Sequence, residues 1–235
     1  MKTFQRVFQP NFEDVYGKDH PLKGQWQEKV FGNDYPITLE LGCGKGEYTI
    51  SLARKYPERN FIGVDIKGAR IWKGAKTANE NDLRNVAFLR TRIELINSFF
   101  SEKEVNEVWI TFPDPQLKKR RNKKRLTAPR FLNQYRAFLA DNGTVHLKTD
   151  NGVLYRYTLA LVEHNQLEIL SSTDDLYNSD LVDDVRSIKT FYESRFLEEG
   201  ARIHYLAFRL PSDKTISEPP DEEAYEREEL SSESI

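Results

Sequence analysis

At 235 residues, with 38% hydrophobic and 31% charged content, the chain has room for one domain with a sizeable core and little for a second. A net charge of −2 gives no support to a uniformly basic nucleic-acid binder, the single cysteine, Cys43, rules out an intrachain disulfide, and four histidines beside one thiol argue against a bound metal. No apolar run approaches a membrane span, and Met1-Lys2-Thr3-Phe4-Gln5 lacks a signal peptide's apolar core, so a cytoplasmic protein without membrane attachment is expected.

Residues 1 to about 30 form a mixed aromatic and charged extension. From there strand-like and helix-like segments alternate. Strands are expected at 37–41, 60–64, 86–89 and 105–112, with helices at 46–55 and 67–81 between the first three. A helix at 127–139 follows, with Thr127 as its N-cap, then a strand at 143–147 and a helix at 153–163. Closing strands at 167–171 and 203–208 are separated by a polar loop and a helix near 189–199, a spacing that permits a late antiparallel hairpin. Such alternation implies an α/β, Rossmann-like fold, a mainly parallel sheet with helices on both faces. Ligands in these sheets bind outside the carboxyl ends of the strands, near a switch in strand order. Residues 31–211 are read as this domain.

Residues 212–235 are expected to be an acidic tail without fixed structure. From Ser217 onward the chain carries eight acids against Arg227, a net −7, which leaves +5 on the rest.

Leu39-Glu40-Leu41-Gly42-Cys43-Gly44-Lys45-Gly46 follows the first expected strand and opens a helix. Gly42 and Gly44 allow a tight turn and close approach of backbone amides to a ligand. The spacing is G-x-G-x-G, whereas a dinucleotide fold expects G-x-G-x-x-G. Asp65, ending Phe61-Ile62-Gly63-Val64-Asp65, can accept hydrogen bonds from ribose hydroxyls. Glu40 lies inside an apolar strand and needs a donor such as an ammonium group. A methyl donor with an amino-acid end suits it better than a pyrophosphate, which a carboxylate repels. That argues against a nicotinamide-dependent oxidoreductase.

Thr111-Phe112-Pro113-Asp114-Pro115 leaves the fourth expected strand with one carboxylate between two prolines, and the stretch 111–125 is expected to be extended and not helical. Seven of the eight residues from Lys118 to Arg125 are cationic. A lone acid beside a dense positive field suits an enzyme acting on a polyanion. Asp150, in Asp150-Asn151-Gly152, has the composition of a turn, and Thr190 followed by Glu193 reads as a capping box.

Taken together, and with His146-Leu147-Lys148-Thr149-Asp150-Asn151 and Thr190-Phe191-Tyr192-Glu193, these pieces resemble the bacterial tRNA (guanine-N(7)-)-methyltransferases, in the family's order and over most of 37–209. The resemblance implies the seven-stranded sheet of class I S-adenosyl-L-methionine-dependent methyltransferases, and a guanine of the tRNA variable loop as target. It places Glu40, Gly42, Gly44, Asp65 and Arg92 against the cofactor, with Asp114 there too as the catalytic residue. Lys118, Asp150, Thr190, Phe191, Tyr192 and Glu193 would contact substrate, Asp150 and Glu193 by accepting from guanine N–H groups. Arg120, Arg121, Lys123, Lys124 and Arg125 would grip RNA. Two departures stand out. Gln116-Leu117 replaces a common Trp, and Arg92 stands near the position of an acid beside the adenine, which leaves its backbone or Glu94 to serve. A methyltransferase acting on another base or on a protein, and a non-catalytic RNA-binding protein of this fold, are the competing classes. Monomer and homodimer both stay open.

Overall fold

Eight strands make one sheet in the computed structural model, which describes residues 4–220. They are β1 (Val7–Phe8), β2 (Ile37–Leu41), β3 (Asn60–Asp65), β4 (Val86–Arg90), β5 (Val105–Thr111), β6 (Leu139–Thr149), β7 (Ile169–Thr173) and β8 (His204–Arg209). Their order across the sheet is β1-β4-β3-β2-β5-β6-β8-β7. The first six pair in parallel, and β8 runs antiparallel between β6 and β7. The chain therefore steps outward from β2 through β3 to β4, then returns to the other side of β2 with β5. That reversal is the switch point at which such sheets bind ligands. One strand beyond the expected seven comes from the N-terminal extension, where Val7 and Phe8 pair with Phe88 and Leu89.

Every residue of β2 and β3 is buried, as expected of central parallel strands covered on both sides. Alternation sends Ile62 and Val64, with Val108 and Ile110, to one face, where the core also holds Trp26, Phe131 and Leu161. Phe61, Phe88 and Trp109 point to the other, under Tyr48 and Ile71. The helices are α1 (Phe12–Val15), α2 (Glu47–Lys55), α3 (Gly68–Glu80), α4 (Pro129–Tyr135), α5 (Gly152–His164) and α6 (Phe191–Glu198). The N-terminal extension is part of the fold: Trp26 is buried and its indole N–H donates to the Phe99 carbonyl at 2.8 Å.

Three local expectations are corrected. Thr127 does not cap α4; Ala128 is the N-cap, with proline at the start of the helix, and the Thr127 hydroxyl is spent on Thr158 at 2.8 Å. The basic block is not extended throughout, because Lys119–Lys124 closes into 3-10 turns once the chain is past Pro115. Residues 212–218, part of the expected tail, are clamped to the domain. The Arg136 guanidinium donates to the carbonyls of Pro211 and Ser212, Asn133 brackets Ile216, Asn165 brackets Ser217, and Ile216 is buried. The acidic run 221–235 lies outside the described residues.

Candidate active site

The glycine loop bends where β2 meets α2. Gly42, Gly44 and Gly46 have φ of 81°, 54° and 70°, values that favour glycine over any residue with a Cβ. Their surroundings differ. A Cβ on Gly46 would sit 2.6 Å from the Phe88 ring, so that glycine serves packing. A Cβ on Gly44 would have nothing nearer than 4.0 Å, so its backbone faces open space. Asp65, at the end of β3, accepts from the Gly44 amide at 2.9 Å and from the Lys67 amide at 2.7 Å, which fixes the loop against the neighbouring strand.

Glu40 is buried in β2. One carboxylate oxygen accepts from the Thr49 amide at 2.8 Å and from the Thr49 hydroxyl, and the other from the Thr111 hydroxyl at 2.6 Å. All its donors among the described residues are neutral. Burial pushes its pKa up to about 7; the threonine hydrogen bonds oppose that rise, and the Asp65 charge adds to it. Here is a carboxylate short of a cation, lining a crevice of about 70 Å³ shared with Gly44, Thr111 and Phe112. Next to it, and sharing Gly42, Arg70 and Phe112 with it, is a larger cleft of about 530 Å³ lined by Asp65, Ile66, Arg92, Glu94 and Asp114. Ile66 is 51% exposed there and offers an apolar wall directly after the acid. The Arg92 guanidinium is 5.8 Å from the Phe12 ring, while its backbone opens the 3-10 turn Ile93–Ser98.

Asp114 projects from a strained loop. Phe112 and Gln116, on either side of the Pro-Asp-Pro unit, have φ of 48° and 51°, a region non-glycine residues rarely occupy. The Asp114 carboxylate accepts from the Gln116 amide at 3.0 Å, and Phe112 N–H donates to the Lys148 carbonyl at 2.8 Å. Asp150 leaves β6 next door, with Thr111 and Lys148 in register, so both acids emerge side by side from adjacent strands. Asp150 is half-buried, burial raises its pKa, and no other described residue donates to its carboxylate. Asn151, not Asp150, caps α5, accepting from Leu154 N–H at 2.9 Å.

The 190–193 segment forms the far wall and corrects one expectation. Thr190 and Glu193 make a capping box at the start of α6. The Glu193 side chain is fully buried and pairs with the equally buried Lys148 at 2.6 Å; Tyr177 also donates to it at 2.7 Å. Glu193 is thus engaged inside the protein and cannot accept from a guanine, and Thr190 orients this cap. Lys148 donates further to the carbonyls of Arg186 and Ile188, at 2.6 and 3.0 Å. Phe191 and Tyr192 remain 56% and 40% exposed, with the Lys45 ammonium 4.2 Å from the Phe191 ring centroid. Phe191 N–H donates to Glu47 at 2.7 Å, tying this wall to the glycine loop.

On the other side of Asp114 stands the basic block. Lys118, Arg120, Arg121, Lys123 and Lys124 are exposed, and none of them pairs with a carboxylate among the described residues. Arg125 departs from the expectation. It is buried, donates from Nε to the Pro115 carbonyl at 3.1 Å, and lies 4.4 Å from the Tyr157 ring centroid, so it braces the Asp114 loop and does not present itself to RNA. Sequence reasoning missed Thr49 and Thr111, which hold Glu40, together with Ile66 and Lys148. Lys148 alone had a signal, a lysine directly following the apolar end of an expected strand, where a buried charge must find a partner.

A family model described as "Putative methyltransferase" matches residues 34–206. Among curated relatives, the tRNA (guanine-N(7)-)-methyltransferase of Bacteroides thetaiotaomicron is 49% identical over 93% of this chain and 86% of its own. That of Christiangramia forsetii is 52% identical over 89% of this chain and 94% of its own. Among solved structures the 16S rRNA methyltransferase KamB superposes with a TM-score of 0.59 at 16% identity, covering 78% of this chain and 92% of its own. The aminoglycoside resistance methyltransferase NpmB1 gives 0.53 at 20% identity. These two share the fold, which is the class I methyltransferase sheet.

Proposed function

Because the chain belongs to the tRNA (guanine-N(7)-)-methyltransferase family, we propose that it transfers a methyl group from S-adenosyl-L-methionine to nitrogen 7 of a guanine in the tRNA variable loop, guanine 46 by resemblance. The donor set fits such a cofactor. Glu40 is a buried carboxylate with only neutral partners, beside a crevice that an ammonium group would complete. Asp65 and the exposed Ile66 suit a ribose and a flat ring, and Gly44 leaves its backbone open. When bound, the cofactor supplies the methyl group on a positively charged sulfur.

The protein's own contribution is placement and charge. Nitrogen 7 of guanine carries an in-plane lone pair and no proton near neutrality, so no general base is needed. Alignment can supply several kcal/mol. Asp114 puts a negative charge beside a purine whose positive charge grows in the transition state, and the backbone at Phe112 and Gln116 holds it there without reorganisation. Asp150 is the acid left to accept from guanine N–H groups, now that Glu193 is engaged with Lys148. The base must leave its stack to arrive, and the exposed faces of Phe191 and Tyr192 offer it a surface. Phosphate contacts fall to Lys118, Arg120, Arg121, Lys123 and Lys124.

One observation carries this reading: the cation-short Glu40 and Asp114, on a loop strained at Phe112 and Gln116, border two crevices that share Gly42, Arg70 and Phe112. The test is incubation of total tRNA with labelled methyl donor and analysis of the nucleosides. Label in 7-methylguanosine is expected; label in another nucleoside, or none, refutes the proposal. Asp114→Asn should lower kcat by roughly 10²-fold with little change in tRNA affinity, and equal loss of both would overturn its role.

A further inference from the structure

The clamped segment 212–218 ends in a particular place. Glu218 accepts from the Tyr157 hydroxyl, at 3.0 and 3.1 Å to its two oxygens. The face of that same ring carries Arg125, the last residue of the basic block. One tyrosine therefore separates the start of the acidic run from the end of the cationic one. Arg125 is fully buried, and its Nη1 and Nη2 have no hydrogen-bond partner among the described residues. That guanidinium is closed off from solvent, so the surface the block offers is its other cations. Beside it stand five exposed cations that no described carboxylate neutralises. Seven acids against one arginine lie within 221–235.

We propose that the acidic segment beyond Pro220 docks on the exposed cations of the basic block, Lys118, Arg120, Arg121, Lys123 and Lys124, and competes there with RNA phosphates. The docking rests on the anchor and the opposite charges; the competition rests in addition on the reading of the block as the RNA grip. Reach is ample, since residues 219–235 span on the order of 50 Å when extended, against a block of two 3-10 turns. Tethering gives an effective concentration on the order of 1 mM. A segment binding the block with a dissociation constant of ~0.1 mM would then weaken tRNA binding about tenfold. RNA that displaces carboxylates in place of small ions also releases fewer counterions, so the segment flattens the salt dependence.

The experiment uses the full chain and a variant with the seven acids within 221–233 changed to amides (Asp221→Asn, Glu222→Gln and so on). Truncation from residue 212 would remove the buried Ile216 and confuse the result with unfolding. Carbodiimide treatment joins carboxylates to amines in direct contact, and mass spectrometry identifies the linked peptides. The full chain should link 221–233 to Lys118, Lys123 or Lys124, and tRNA should abolish the links. The amide variant should bind tRNA about tenfold tighter at low salt, with a steeper salt dependence. Absence of such links overturns the docking. Links accompanied by unchanged tRNA affinity would leave the docking in place and refute the block as the RNA grip.

Discussion

Lys148→Met removes one member of the buried pair and leaves the other. Lys148 and Glu193 have side chains with 0% exposure and meet at 2.6 Å. Breaking such a pair from one side costs about 3–5 kcal/mol, because the surviving charge stays buried without its partner. The carbonyls of Arg186 and Ile188 lose their donor as well, at about 1–3 kcal/mol for each that stays dry. Burial pulls the Lys148 pKa below its usual value, and Glu193 is the chief group that opposes that fall. The segment between β7 and α6 has few buried apolar side chains, chiefly Leu176, so the loss should appear first as local opening. Hydrogen exchange at the start of α6 should accelerate by roughly 100-fold or more, the equivalent of about 3 kcal/mol. The melting temperature should fall by about 10 °C if opening becomes global. Methyl transfer should drop in parallel, since Phe191 and Tyr192 lose their support. The double variant Lys148→Met/Glu193→Leu should regain much of the loss, because it removes the stranded charge. A single variant with unchanged exchange and melting, or a double variant no better than the single, would refute the reasoning.

Glu40 predicts a pH dependence. Its folded pKa of about 7 exceeds the unfolded 4.5, so its contribution to stability is full below 4.5 and is lost as pH rises through 7. A cationic ligand at Glu40 reverses this preference, so donor affinity should rise about tenfold per pH unit up to 7 and then level off. Calorimetry near pH 6 in buffers of different ionisation enthalpy should show about one proton released on binding, absent in Glu40→Gln; no release in the parent protein would contradict the assignment. Glu107 runs the other way. Burial works to raise its pKa, but His146, Arg59 and Trp109 together hold it down to about 2. Its stabilisation is present above 4.5 and disappears as pH falls through 2, so Glu107→Gln should cost about 3 kcal/mol near neutrality; a denaturant midpoint equal to the parent's at pH 7 would contradict this. In the basic block, Lys123→Ala with Lys124→Ala should lower the slope of log affinity against log salt by about 1.5. Arg125→Ala should leave that slope alone and lower thermal stability instead; a slope change from Arg125 would return it to the RNA surface.

The elements that could be read from sequence are those governed by neighbours in the chain. Asn60–Asp65 and Gly68–Glu80 are close to their expected bounds, because an all-apolar run and a helical period suffice to define them. Val7–Phe8 was invisible, since a two-residue strand exists only through its pairing with Phe88 and Leu89. Ala128 displaced Thr127 as N-cap because the threonine found a better partner on α5. At the candidate site, the positions of Glu40 inside β2, Asp65 at the end of β3 and Asp114 between two prolines were legible. Thr49 and Thr111 were not, for a hydroxyl becomes a carboxylate's partner only when two strands and a helix bring it there.

The order of strands and helices, the glycine turn, the acid between two prolines and the opposite charges of the block and the final segment were all determined by the sequence alone. They depend on backbone sterics and local composition, which a linear chain already contains. Which charges are available was decided only by the tertiary structure. Glu193 and Arg125 look like binding residues in sequence, yet folding buries one against Lys148 and the other against Tyr157 and Pro115. The reason is desolvation. A charge taken out of water must be matched by whatever the fold places beside it, and that neighbour is set by packing between segments far apart in the chain.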